Sequence, residues 1–68
     1  MLKYYASFGL GHEHEGKVQP IFAENDIEAR KKMIKKHGDK WAFLYSKEQF
    51  EQSKKEGFFK NVVELKAI

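Results

Sequence analysis

Two histidines stand two residues apart in a polar, glycine-framed segment, His-Glu-His-Glu at residues 12–15. Side chains two apart in an extended segment point to the same side, so these imidazoles could bind zinc or nickel, with His37 or Glu15 as a third ligand. The chain has no cysteine, and polar residues between glycines are typical of an exposed chain reversal. We therefore predict neither a metal site nor a cofactor.

The same loop is also a candidate contact surface. Imidazole titrates near neutrality, so a loop that carries His12 and His14 could respond to pH. We include both histidines among the predicted protein-binding residues.

A second group of residues that could carry a function consists of basic side chains. These side chains could form a stripe that binds nucleic-acid phosphates, in keeping with a net charge of +3 and a pI near 9.2. Arginine, which suits bidentate phosphate contacts, occurs once, and lysines at a helix end also offset the helix dipole. Nucleic-acid binding is thus kept as the alternative function. The group consists of Lys31, Lys32, Lys35 and Lys36.

Catalytic signatures are missing from the sequence. Ser7, Ser46 and Ser53 stand in no nucleophile motif, and no paired carboxylates are spaced for acid and base roles. The Gly-Leu-Gly run at residues 9–11 is not followed by the Gly-Lys-Ser/Thr of a phosphate loop. We predict that the protein is not an enzyme, has no catalytic residue and takes no small-molecule substrate.

Length and composition indicate a single domain over residues 1–68. A chain of this size buries only about 60% of the surface it exposes when unfolded, and aromatic residues supply the apolar area that its core needs. The absence of cysteine suits a reducing compartment. The N-terminus lacks a basic segment followed by an apolar run, so we expect a cytoplasmic protein without a membrane span.

The first half of the chain predicts two strands and a helix. Apolar residues alternate over residues 2–10 and again over 17–23, where Pro20 places the second strand at an edge or at a bulge. Asn25 is a candidate N-cap, and Gly38 a candidate C-cap, of a helix that carries the lysines. The predicted apolar arc of this helix consists of Ile27, Ala29, Met33 and Ile34, with Arg30 and His37 at its margins.

The second half predicts a strand, a short helix and a strand. Residues 40–45 are apolar on both alternating faces, as expected of a central strand. Ser46 with Gln49 forms a capping-box pattern that opens a helix to about Glu56, in which only Phe50 is apolar. Alternation resumes over residues 58–68. The order β-β-α-β-short α-β predicts an α+β fold with a sheet of three to four strands packed by one main helix.

One helix covers one face of such a sheet, while the strand at residues 40–45 would leave both faces apolar. A second copy of the chain or a foreign protein could cover the other face. We therefore predict a homodimer or a complex with another protein. The predicted protein-binding residues face away from the main helix or lie in the adjacent loop, and they are Tyr5, Ile21, His12 and His14.

Three runs of sequence carry a resemblance to known proteins. They are Tyr-Ala-Ser-Phe-Gly-Leu-Gly-His at 5–12, Ala-Glu-Asn at 23–25 with Ala29, Arg30 and Met33, and His-Gly-Asp-Lys-Trp-Ala-Phe-Leu-Tyr at 37–45. With these runs the chain resembles a group of small uncharacterised phage and prophage proteins. The resemblance does not extend past residue 45. It implies a phage accessory protein that acts in the bacterial cytoplasm, where such proteins often occlude a host enzyme or a defence system.

These observations lead to one functional hypothesis and one alternative. The hypothesis is a non-enzymatic protein-binding module, a phage or prophage accessory protein that engages or inhibits a host protein and forms a homo-oligomer. The alternative is a small basic nucleic-acid-binding protein that uses the lysine face of the main helix.

Overall fold

The computed structural model describes residues 1–59 and 61–68. In this described part, four strands form one sheet that two helices pack against, which confirms the predicted α+β class. The elements in chain order are β1 (Leu2–Ser7), β2 (Lys17–Ala23), α1 (Asp26–His37), β3 (Leu44–Ser46), α2 (Lys47–Lys55) and β4 (Val63–Glu64).

The sheet has the strand order β3-β1-β2-β4, so β1 and β2 form its centre. β1 is antiparallel to both β2 and β3, and β4 is parallel to β2. Tyr4 pairs with Ile21, and Tyr5 pairs with Pro20, which sets which side chains share a face. One face packs against α1 and the other against α2.

α1 has the ends that its sequence predicts. The Asn25 side-chain oxygen accepts a hydrogen bond from the Glu28 amide at 2.8 Å, and Gly38 ends the helix with φ +70°. Ala29 and Met33 are buried against the sheet, whereas Ile27 and Ile34 are exposed. The predicted apolar arc is therefore wider than the stripe that the sheet covers.

The prediction that Pro20 places β2 at an edge or a bulge is wrong, because β2 lies between β1 and β4. The Pro20 carbonyl accepts from the Ile68 amide at 3.0 Å, so this residue directs its backbone groups toward the C-terminal segment. The side chain of Gln19 replaces the missing donor there: its Nε2 donates to the carbonyl of Lys66 at 2.6 Å. A buried amide thus lets proline occupy an internal strand.

α2 covers the second face of the sheet. Ser46 and Gln49 form the predicted capping box, and Phe50 is the buried residue of the helix. The Phe50 ring stacks on the Tyr5 ring with a centroid distance of 4.0 Å and an angle of 12°. Val18 completes this cluster, and Tyr45 packs against it. A second copy of the chain is therefore not needed to cover this face.

Residues 40–45 do not form a central strand, so that prediction is wrong. The strand present is β3, which lies at the edge of the sheet, and Phe43 just before it is exposed. Trp41 is half-buried, and its indole Nε1 donates to the Gly38 carbonyl at 3.0 Å. The side chains of residues 40–45 pack in different directions, so the unbroken apolar run does not mean that a strand is covered on both faces.

The predicted strand over residues 58–68 is also shorter in the structure. β4 has two residues, and Lys60 lies outside the described residues. Phe59 and Val62 pack on the α2 side, whereas Leu65 and Ile68 pack on the α1 side, so the predicted alternation is wrong. The segment before β4 therefore packs on the α2 side, and the segment after β4 packs on the α1 side.

Replacing Phe50 by alanine should lower the free energy of unfolding by about 3–5 kcal/mol, because the cluster on the α2 side loses its central ring. Urea denaturation followed by circular dichroism measures the change. Phe58→Ala is the matched control, since Phe58 is exposed, and it should change the same quantity by less than about 0.5 kcal/mol. Equal losses in the two variants would contradict the assignment of Phe50 as the residue that closes the second face.

Candidate functional site

The loop between β1 and β2 has a defined conformation. Gly11 and Gly16 both adopt φ +83°, a left-handed backbone that other residues rarely take. The Gly11 amide donates to the Glu15 carboxylate at 2.8 Å. Backbone bonds from Glu15 to the His12 carbonyl and from Lys17 to the His14 carbonyl, each 3.0 Å, close the turn. The predicted reversal is confirmed.

Three histidines surround the buried ring of Phe8. The centroids of His12, His14 and His37 lie 4.7, 5.2 and 5.0 Å from the Phe8 centroid. Two of these residues come from the loop, and His37 is the last residue of α1. We call His12, His14 and His37 the histidine cluster. The sequence suggested His37 or Glu15 as a third metal ligand beside the loop histidines. In the structure His37 lies with them, while the Glu15 carboxylate accepts a hydrogen bond from the loop backbone.

The hydrogen bonds of the cluster determine where its protons lie. His12 Nδ1 accepts from the His14 amide at 3.0 Å, so that nitrogen is unprotonated and the ring is neutral. Gln19 uses its Nε2 to donate to the carbonyls of Pro20 and Lys66, so its Oε1 accepts from His37 Nε2 at 2.9 Å. Neutral His37 therefore carries its proton on Nε2.

The surroundings of His37 disfavour its charged form. Burial of the imidazole lowers its pKa from the ordinary value. Positive charge on His14, on Lys36 and on His12 lowers the pKa further, and the two histidines act in this way only when they are protonated. Glu13 acts in the opposite direction. The Nδ1 atom of His14 is buried and has no hydrogen-bond partner among the described residues.

Metal binding does not follow from this arrangement. In residues 1–59 and 61–68, no group of three or more histidine, aspartate or glutamate side chains is placed to hold a metal ion.

Four large, exposed apolar side chains belong to segments at the end of the sheet that carries the loop. The Phe43 carbonyl accepts from the Ser7 amide at 2.9 Å, and Val63 pairs with Lys17, so both lie where β1 ends and β2 begins. Phe58 lies in the turn from α2 to β4, and Leu10 lies in the loop. We call these four residues the hairpin-end surface, and their exposed fractions are Leu10 93%, Phe58 76%, Phe43 64% and Val63 57%.

Two of the predicted protein-binding residues are not accessible. Tyr5 faces away from α1 as predicted, but Phe50 covers it and leaves 7% exposed. Ile21 lies on the α1 side and is fully buried, so its predicted orientation is wrong. His12 and His14 are half-buried in the loop. Sequence reasoning missed the hairpin-end surface because it assigned Leu10, Phe43, Phe58 and Val63 to strands.

The positive charge of the protein is concentrated at the C-terminal half of α1. Residues 30–40 contain six Lys and Arg residues and one aspartate, which leaves seven basic and nine acidic residues elsewhere. Lys31, Lys35 and Lys36 are exposed, but Lys32 is half-buried and donates through Nζ to the Phe22 carbonyl at 2.6 Å. Three of the four predicted lysines are thus directed to solvent.

Comparisons with known proteins add no assignment. The chain matches no protein-family model, and no curated protein or solved structure is significantly similar to it. In the described part of the chain, neither helix has the length and apolar character required to cross a membrane.

The direction of the His37 pKa shift predicts how stability depends on pH. The unfolded chain binds a proton at this residue near the ordinary imidazole pKa of about 6.5, whereas the folded chain binds it only at lower pH. The free energy of unfolding should therefore fall as pH drops below about 6.5. His37→Gln keeps an amide donor for Gln19 and should flatten this slope. Urea denaturation at several pH values measures it, and identical slopes in both proteins would contradict the shift.

Proposed function

We propose that the protein is a non-enzymatic protein-binding module whose contact surface is the hairpin end of the sheet. The observation that carries this proposal is that Leu10, Phe43, Phe58 and Val63 are each more than half exposed and belong to segments at one end of a small domain. Single exposed apolar side chains are common on proteins, but a group rimmed by polar residues is typical of interaction sites.

The composition of the surface fits a protein partner. Two phenylalanines and two aliphatic residues supply exposed apolar area, and the loop that carries Leu10 also carries the polar residues His12 and Glu13. Protein interfaces combine a desolvated apolar centre with a hydrated polar rim, and aromatic side chains are enriched in the centre. Leu10 contributes most to this argument, because it is almost fully exposed at the tip of a well-bonded loop.

The partner we propose is a foreign protein. Both faces of the sheet are covered by helices of the same chain, so the covering of a bare face no longer argues for a homodimer. The resemblance to small phage and prophage proteins supports a host protein of the bacterial cytoplasm, including a component of a defence system, as the target. Self-association through the hairpin-end surface is the competing form of the proposal.

Leu10→Ser combined with Phe58→Ser should abolish capture of the partner from a bacterial lysate, because truncating central interface residues typically costs about 2 kcal/mol or more each. The matched control is Ile27→Ser with Ile34→Ser, which removes two exposed apolar residues from α1. Quantitative mass spectrometry compares the proteins captured by each variant. Equal capture by both variants would rule out the hairpin end, and a concentration-dependent sedimentation coefficient that only the first variant loses would identify a second copy as the partner.

Nucleic-acid binding is the second candidate, and the concentration of charge in residues 30–40 favours it. Lys31, Lys35 and Lys36 project from successive turns of α1 and could contact three phosphates. Trp41 stands beside them, with the Arg30 guanidinium 5.8 Å from its ring centroid. That pairing occupies the tryptophan face on which a base would stack, so we rank this function second.

The nucleic-acid proposal predicts a specific dependence on salt. Three phosphate contacts give a slope of about −2.7 for the logarithm of the duplex-DNA association constant against the logarithm of salt concentration. Fluorescence anisotropy at several ionic strengths measures this slope. Lys35→Ala with Lys36→Ala should reduce it by about 1.8, whereas Lys54→Ala with Lys55→Ala, which removes the same charge from α2, should leave it unchanged. No binding at low salt would refute the proposal.

A further inference from the structure

The histidine cluster connects the loop that carries Leu10 to the end of α1. His12 and His14 belong to the loop, His37 belongs to the helix, and the centroids of His14 and His37 are 5.5 Å apart. Phe8, at the base of the loop, is in contact range of all three rings. A change in the charge of these rings therefore acts on the junction between the loop and the folded core.

The loop conformation requires His12 to be neutral at Nδ1. That atom accepts the His14 amide proton at 3.0 Å, so a proton added to it would replace the acceptor by a second donor. The two donors would then face each other, and this hydrogen bond would be lost. Protonation of His12 at Nδ1 thus removes one of the hydrogen bonds that hold the observed turn.

His14 has an alternative partner that becomes effective only when it is charged. Its Nε2 lies 3.9 Å from the carboxylate of Glu13, an ion pair that exists only for the imidazolium. Its Nδ1, in contrast, is buried and unpartnered among the described residues, so a proton there would be buried without an acceptor. A doubly protonated His14 ring would therefore gain the ion pair with Glu13 and leave a buried N–H group without an acceptor in its present position.

Charged groups of other elements surround the cluster. Lys36 acts on His37 from α1, and Lys40 and His12 line one shallow cavity beside Gly9 and Leu10. Lys17 lies at the start of β2, where its amide donates to the His14 carbonyl. The acidic groups are Glu13 and Glu15 of the loop, and Glu15 is bonded to the Gly11 amide. Lys36 repels additional positive charge on His37, which strengthens the preference of that ring for its neutral form.

We propose that the histidine cluster is a protonation-controlled clasp: neutral rings pack around Phe8 and hold the β1–β2 loop in its closed turn, and protonation opens the loop and displaces Leu10. The proton comes from solvent, and no other reactant is needed. The opening of the loop does not depend on the proposed function. Only its effect on partner binding does, since an open loop changes the shape of the hairpin-end surface. A partner that binds the closed loop would be released as the pH falls below neutrality.

The clasp is tested on the free, full-length chain by nuclear magnetic resonance between pH 8 and pH 5, with a chelator present. Imidazole carbon signals report the protonation of each histidine, and exchange of the His14 amide reports the loop hydrogen bond. We expect the protection of that amide, corrected for its intrinsic exchange rate, to fall by about tenfold or more as His12 is protonated. Signals of Leu10 should shift with the same midpoint, while amides of β1 and β2 stay protected.

His12→Asn is the diagnostic variant, because the Asn side-chain oxygen can accept the His14 amide and is not protonated in this range. The loop of this variant should stay closed down to pH 5. Amide protection in β1 and β2 at pH 8 shows whether the His12→Asn variant is folded. If the variant is unfolded, exchange of the His14 amide in the protein without the substitution tests the clasp by itself. A His14 amide whose protection does not change while His12 titrates would overturn the clasp, whatever the outcome for partner capture.

Discussion

A chain of 68 residues must cover both faces of a sheet whose central strands are apolar on each side, and this constraint organises the whole fold. α1 covers one face with Ala29 and Met33. The other face depends on one side chain of α2, Phe50, stacked on Tyr5. A domain of this size has little buried area to spare, so each of these contacts is a large share of its stability. The side chains that remain exposed are therefore available for contacts with other molecules.

A single buried amide joins three parts of this small domain. Gln19 donates to Pro20 and Lys66 and accepts from His37, so it connects β2 to the C-terminal segment and to the end of α1. Hydrogen bonds in a low-dielectric interior are strong when every group is paired and costly when one is not. The network explains how proline sits in an internal strand, and it also places a titratable ring at the boundary of the core.

The exposed features lie close together. α1 ends beside Phe8, Lys36 acts on His37, and Lys40 shares a cavity with His12. A protein that docked on the hairpin-end surface would meet apolar side chains at its centre and positive charge at one margin. Complementary charge at an interface margin mainly raises association rate and selectivity, whereas the desolvated centre supplies most of the affinity.

Local features of this protein follow from its sequence alone. The caps at Asn25, Gly38 and Ser46, the hairpin reversal and the α+β class are short-range properties, because each depends on hydrogen bonds or periodicity within a few residues.

Tertiary structure decided the rest. Residues 40–45 have the pattern of a central strand but lie at an edge. Pro20 has the signature of an edge residue but lies inside, because the C-terminal segment returns beside it and accepts a hydrogen bond from the neighbouring Gln19 side chain. The meeting of His37 with the loop histidines and the exposure of Leu10 and Phe43 likewise depend on how α1 and β3 return to the same end of the sheet, and no local pattern encodes that return.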